Sequence, residues 1–167
     1  MNVKKKVILS LGGNIENREG YINKAIMEVE KAFKTKVDKS GLYETASWGF
    51  EAEFPFLNIC ISFYSSCNPK ELLNITQNIE KNLGRVKKSQ KGEYESRVID
   101  IDILYIEELI INTEKLTVPH PLIYGRNFVL TPLLELCPDF VDPVKKTTIK
   151  QLHKSCNDKN KVILYKN

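Results

Sequence analysis

The stretch Arg97-Val-Ile-Asp-Ile-Asp-Ile-Leu-Tyr105 alternates isoleucine with acid, and its reading governs the rest of the chain. A two-residue period is that of a strand, so Ile99, Ile101 and Ile103 share one face and Asp100 and Asp102 the other. Aspartate is disfavoured in strands. The isoleucines fix the register, because a slip of one residue would carry the carboxylates into the core. Two such aspartates have Cα atoms roughly 6.5–7 Å apart and repel unless a cation or solvent compensates. Hard oxygen ligands on a rigid strand suit Mg²⁺, which takes one or two carboxylates and completes its shell with phosphate and water. For a bare Asp-x-Asp the default reading is a solvated strand face. The neighbours shift that balance. Arg97 opens the strand, Arg85, Lys87, Lys88 and Lys91 precede it, and His120 and Arg126 follow among prolines. Cations around a carboxylate pair suit a polyphosphate bridged by metal.

Working outward, Val7 to Leu11 reads as a buried strand ended by a tight turn at Gly12-Gly13-Asn14. Ile22, Ile26, Val29 and Phe33 recur at helical spacing between Arg18 and Lys34, with Asn17 as N-cap. A second strand is predicted over Val37 to Thr45. Phe56 to Tyr64 alternates, with Leu57, Ile59, Ile61 and Phe63 on one side and Asn58, Cys60 and Ser62 on the other. Asn68-Pro69 starts a helix whose apolar stripe is Leu72, Ile75, Ile79 and Leu83, and Gly84 ends it. After the aspartate strand come a turn at Glu107-Glu108, a strand over Leu109 to Asn112, and an irregular Thr117-Val-Pro-His-Pro121. A short helix over Thr131 to Leu136 stops at Pro138, and Thr148 to Asn167 reads as a short helix and a last strand, Val162 to Tyr165. The order strand, helix, strand, strand, helix, strand resembles the split βαβ plan. With no linker or repeat, residues 1–167 form one domain.

Composition narrows the classes further. Net charge is +4, which is compatible with an anionic ligand but too weak to indicate nucleic acid. The four cysteines form no Cys-x-x-Cys pair and only two histidines occur, which argues against a structural zinc site. Reduced thiols, no secretory h-region and no transmembrane stretch point to the cytoplasm. No Gly-x-x-x-x-Gly-Lys-Ser/Thr loop is present, so side chains must grip any phosphates.

The segments Tyr43-Glu-Thr45, Phe56-Leu-Asn58, Thr76-Gln-Asn-Ile-Glu80, Gly84-Arg85, Arg97-Val-Ile-Asp-Ile-Asp-Ile103, Val118-Pro-His-Pro121 and Arg126-Asn-Phe-Val-Leu130 resemble, in order, those of the 6-hydroxymethyl-7,8-dihydropterin pyrophosphokinase family. The resemblance implies an α+β fold, a ferredoxin-like βαββαβ core with additional C-terminal helices and a strand. It implies transfer of pyrophosphate from ATP to the hydroxymethyl group of a reduced pterin, giving AMP and the pterin diphosphate, in folate biosynthesis. It also implies two Mg²⁺ ions held by Asp100 and Asp102, with Asp100 near the pterin, and catalytic roles on the phosphates for Arg85 and Arg97. Gln77, Glu80, Lys87, Arg97, Ile103, Lys115, Thr117, His120 and Arg126 would line the ATP site. Thr45, Trp48, Phe56, Asn58 and Phe128 would line the pterin pocket with Asp100. The chain departs from the family at Lys87, where an arginine is usual, and at Tyr94, which stands for a loop tryptophan.

Independently of the resemblance, Phe56 and Phe128 can supply faces for a flat heterocycle, and Asn58 can read its edge. Phe56, Phe128 and Trp48 can equally cover the core, and Glu80 alone would be a solvated helix residue. Two other functions fit the pattern: a Mg²⁺-dependent nucleotidyltransferase on a ferredoxin-like sheet, or a non-catalytic RNA-binding module, whose sheet should carry stacked aromatics rather than aspartates. Neighbouring folate-pathway enzymes are the implied protein partners; no nucleic acid or membrane partner is implied.

Overall fold

The computed structural model describes residues 3–46, 53–84 and 97–166. Among them, β1 (Lys5–Gly13) leads into α1 (Arg18–Phe33), and β2 (Asp38–Lys39), β3 (Tyr43–Thr45) and β4 (Phe56–Ser65) follow. After α2 (Pro69–Asn82) come β5 (Asp100–Ile106), β6 (Ile111–Asn112) and β7 (Thr117–Val118), then a 3-10 turn at Ile123–Gly125. The chain closes with α3 (Asn127–Leu136), α4 (Ile149–Ser155) and β8 (Val162–Leu164). The result is a mixed α+β fold. Its main sheet runs β5-β1-β4-β3-β8, with β2 also paired to β4, and neighbouring strands are antiparallel.

Alternation along the three long strands builds two different faces. Val7, Leu9 and Leu11, with Leu57, Ile59, Ile61 and Phe63 and with Ile101 and Ile103, pack against Ile22, Ala25 and Val29 of α1 and Leu72 and Ile79 of α2. The other face is apolar only at one end, where Ile8, Cys60, Leu104 and Tyr105 meet Leu130, Leu133, Ile149 and Leu152. At the opposite end it carries Ser10, Gly12, Asn58, Asp100 and Asp102. A bulge allows the change: Leu9 pairs with Ile103 but Ile8 with Tyr105, so Leu104 is an extra residue. The polar side of β4 is therefore buried, with Asn58 5% and Ser62 2% exposed.

The start of α2 matches its sequence reading. Asn68 accepts the N–H of Glu71 while the Glu71 carboxylate accepts that of Asn68, Pro69 occupies the first turn, and Gly84 sits beyond the end at φ 106°. Other local readings are corrected. Val37 to Thr45 is not one strand. Ser40 replaces a ladder contact with its side chain, Oγ accepting the N–H of Cys60, and Gly41 N–H turns away to Glu135 Oε1 at 3.0 Å. Gly12 and Gly13 are not a turn but the end of β1, where a Cβ on Gly13 would lie 2.4 Å from the Val98 carbonyl oxygen. Asn17 flanks α1 in the left-handed region at φ 65° and makes no side-chain cap bond. The short helix begins at Asn127, four residues before the sequence suggested. Leu109 lies outside the strand predicted for it, and Thr117–Val118 is a strand, pairing with Ile111–Asn112. All four cysteines are free thiols. Burial raises the Cys60 thiol well above its ordinary range and that of Cys137 to about 11, so both stay protonated in the core. No helix among the described residues is long and apolar enough to cross a membrane.

Candidate active site

The polar end of the open face is the floor of a cavity. Across the sheet Asp100 is in register with Gly12, and Gly12 with Asn58, while Asp102 is in register with Ser10. Small residues on the central strand thus separate the aspartates from Asn58. A Cβ on Gly12 would come within 2.8 Å of Asn58 Oδ1 and would push the amide from its place. One wall is made by Thr45, Ala46 and Phe56, and the opposite wall by Arg126, Phe128 and Val129 at the start of α3. Asn58 Nδ2 donates to Thr45 Oγ1 at 3.0 Å, which orients the amide. The Arg126 guanidinium stands 5.6 Å from the centre of the Phe128 ring.

Arg97 closes the cavity on the aspartate side. Its Nη1 donates to Asp100 Oδ2 at 2.6 Å. Its backbone is clamped by the buried Asn14, whose Oδ1 accepts Arg97 N–H at 2.7 Å and whose own N–H reaches Arg97 O at 2.9 Å. Both backbone groups of Arg97 are thereby held by a residue 83 positions earlier.

A second cavity adjoins on the outer side of β5. It is lined by Ile101, Asp102 and Ile103, by Glu114, Lys115, Thr117 and His120, and by Leu73 from α2. His120 Nδ1 accepts the N–H of Leu122 at 3.3 Å, which puts the ring proton on Nε2. That nitrogen faces Asp102 Oδ1 at 3.9 Å. Asp102 lines both cavities.

The structure thus gathers Thr45, Phe56, Asn58, Asp100 and Phe128 around one space, and Ile103, Lys115, Thr117 and His120 around the next. Arg97 and Arg126, placed with the nucleotide in the sequence reading, line the first space. Gln77 is half-buried on α2 and lines neither. Glu80 is not solvated. It is 3% exposed, and its Oε1 accepts the N–H of Ile101, between the two aspartates, at 2.7 Å. Trp48, Arg85 and Lys87 lie outside the described residues.

Sequence reasoning missed Ser10, Gly12, Asn14 and Val129. For the first two a signal existed: they share the parity of Ile8 on β1 yet are small.

As for a metal, the donor set is two carboxylates on one strand face. Among the described residues no group of three or more His, Cys, Asp or Glu assembles. A pair of carboxylates suits a cation drawing its remaining ligands from phosphate and water, as Mg²⁺ does.

In class, then, this is a small α+β protein with paired carboxylates where an aromatic-walled cavity meets a polar one. A profile described as 7,8-dihydro-6-hydroxymethylpterin-pyrophosphokinase matches residues 8–138. A Bacillus subtilis 2-amino-4-hydroxy-6-hydroxymethyldihydropteridine pyrophosphokinase is 42% identical over 130 residues, covering 77% of this chain and 76% of the relative. An Aquifex aeolicus protein of the same name is 38% identical over 146 residues, covering 87% and 88%. The chain belongs to the 7,8-dihydro-6-hydroxymethylpterin-pyrophosphokinase family. Among solved structures, wild-type Plasmodium falciparum HPPK-DHPS with pteroate superposes with a TM-score of 0.72 at 16% identity. It covers 92% of this chain, which spans 42% of that longer one, and the likeness shows the fold alone.

Proposed function

We propose that this pyrophosphokinase moves the pyrophosphoryl group of ATP onto the hydroxymethyl oxygen of 6-hydroxymethyl-7,8-dihydropterin, releasing AMP, as a step of folate biosynthesis. The observation that supports this most is the shared wall. Asp102 belongs to an aromatic, amide-bearing cavity and to a polar one that carries Lys115, Thr117 and His120, so the two substrates would meet at β5.

In this reading Phe56 and Phe128 hold the pterin faces and Asn58 reads its edge. Asn58 is already oriented by Thr45, so little ordering remains on binding. Lys115, Thr117 and His120 take the nucleotide phosphates. The hydroxymethyl oxygen attacks the β-phosphorus and gives up its proton to solvent, the bond from that phosphorus to the oxygen bridging the α-phosphorus breaks, and AMP leaves with that oxygen. Arg97, fixed by Asn14, presents planar donors to the charge that develops on the transferred group, and catalysis is mostly positioning and electrostatics. Asp100 and Asp102 would hold Mg²⁺, two ions as in the resemblance, and bound metal supplies charge neutralisation on the phosphates. Glu80 holds the Asp-Ile-Asp backbone in place through Ile101.

The sheet order β5-β1-β4-β3 is that of a split βαβ core, which supports a ferredoxin-like reading with β8 added at the edge. Free thiols suit the cytoplasm. The joined HPPK-DHPS proteins favour other folate enzymes as neighbours of this one.

The test is incubation with ATP, Mg²⁺ and the reduced hydroxymethylpterin. Formation of AMP and pterin diphosphate is the expected outcome. Release of pyrophosphate with transfer of a nucleotidyl group would replace this reading with a nucleotidyltransferase.

A further inference from the structure

The aromatic cavity lies between two elements that do not share a backbone ladder: β3 with Thr45 on one side, and the start of α3 with Arg126 and Phe128 on the other. The C-terminal segment touches both, as β4 also does. Residues 158–165 lie outside the stretch matched by the family profile, 8–138. Their strand β8 pairs with β3, Val162 opposite Thr45 and Leu164 opposite Tyr43, and Tyr165 N–H continues to Leu42 O at 2.8 Å. Just before it, Asp158 Oδ2 accepts the N–H of Asn127 at 2.9 Å. Asn127 is the first residue of α3, whose own N-cap, Arg126, makes no side-chain cap bond. Arginine has no acceptor to offer. The cap that helix needs, an anionic acceptor at its positive end, thus arrives from 31 residues away. Asp158 is itself held, with Oδ1 accepting the N–H of Asn160 at 3.0 Å, and Asn160 O receives Asn127 Nδ2 at 3.4 Å.

We propose that Asp158 is a positioning residue for pterin binding: by capping α3 from a segment anchored on β3, it sets the separation of the two cavity walls. This rests on the function proposed above. The phosphate-side groups, His120 and Lys115, line the cavity beside β5, the edge of the sheet opposite β8. Loss of Asp158 should therefore act on the pterin and not on ATP. At the far end of α3, Glu135 makes a second tie to β3 through Tyr43 Oη at 2.6 Å, so removing Asp158 frees one end of the helix without undocking it.

The experiment compares Michaelis constants for both substrates in wild type, Asp158→Ala, Asp158→Asn and Asn127→Pro. Proline suits the first helical position and deletes the donor from the other side of the same bond. The expected result for Asp158→Ala is a roughly fivefold rise in the pterin KM, the size of a lost helix cap. The ATP KM and kcat should stay within about twofold. Asp158→Asn, which keeps an acceptor oxygen, restores most of the affinity. Asn127→Pro reproduces the rise, and adding Asp158→Ala to it changes nothing more. Asn160→Ala, which keeps its backbone carbonyl, stays near wild type. Unchanged pterin KM in both Asp158→Ala and Asn127→Pro overturns the proposal, as do equal changes in the ATP KM and kcat. A wild-type protein that forms no pterin diphosphate fails the proposed function instead, before any variant is compared.

Discussion

The same three strands, β1, β4 and β5, present one face that is closed and one that is half open. On the closed face Val7, Leu9, Leu11, Leu57, Ile59, Ile61, Phe63, Ile101 and Ile103 are all aliphatic or aromatic, and α1 and α2 cover them. On the open face Ser10 and Gly12 on β1 and Asn58 on β4 interrupt the apolar positions, and aspartates take their place on β5. The helices α3 and α4 cover only the apolar half. The difference teaches how one sheet is both rigid and chemically active: the closed face fixes register, and the fixed register holds like charges side by side on the other face.

If that division of labour is right, changes on the two faces should separate activity from stability. The largest effect is expected from Asp102→Ala. Turnover in Mg²⁺ should fall by about a thousandfold or more, as when a site loses a main electrostatic element. Thermal unfolding should stay near wild type, because removing one of two neighbouring carboxylates relieves repulsion. Near-normal turnover would sink the metal role of Asp102. On the closed face, Leu9→Ala should cost about 3 kcal/mol in urea unfolding through the cavity it leaves. Turnover per folded molecule should barely move. A smaller effect is expected for Asn58→Ala, roughly tenfold in kcat/KM for the pterin with ATP affinity intact. A proportional loss for both substrates would place Asn58 in the fold and not in recognition.

The smallest effect concerns alkaline pH. Burial, then the Glu135 carboxylate, pushes Tyr43 from 10.0 up to about 12. The folded state favours the neutral phenol, so this contribution is whole below pH 10 and is lost as pH rises towards about 12. Urea unfolding of Tyr43→Phe should show a flatter decline across that window than wild type. Tyr105 and Tyr124 are raised as well, by burial and by their shared acceptor Asp142, and their share of the decline should remain.

What was legible in the sequence is what repeats over short distances. The alternation of Ile99 to Ile103 revealed the face of Asp100 and Asp102, and Asn68-Pro69 with Glu71 marked the start of α2. The cavity residues Phe56, Asn58 and Phe128 were legible through resemblance more than through pattern. Asn14, Glu80, Asp142 and Asp158 were hidden for one physical reason. Each is a side chain that satisfies groups far along the chain, at Arg97, Ile101, Tyr105 and Asn127. No spacing announces such a bond. The break between β2 and β3 was hidden for the same reason, since Gly41 leaves the ladder for Glu135, 94 residues on. Gly12-Gly13 misled because glycine pairs read as turns, whereas here a Cβ would press on Asn58 and on the Val98 carbonyl.

Glu80 gives the site a clock. On the outer edge of the sheet an amide has no neighbouring strand, and Ile101 N–H is closed instead by a buried carboxylate on α2. Its hydrogen exchange is then gated by the seating of that helix and not by strand separation. The amide between the two aspartates should slow or quicken together with those of α2, reporting on the readiness of the empty enzyme in the absence of any substrate.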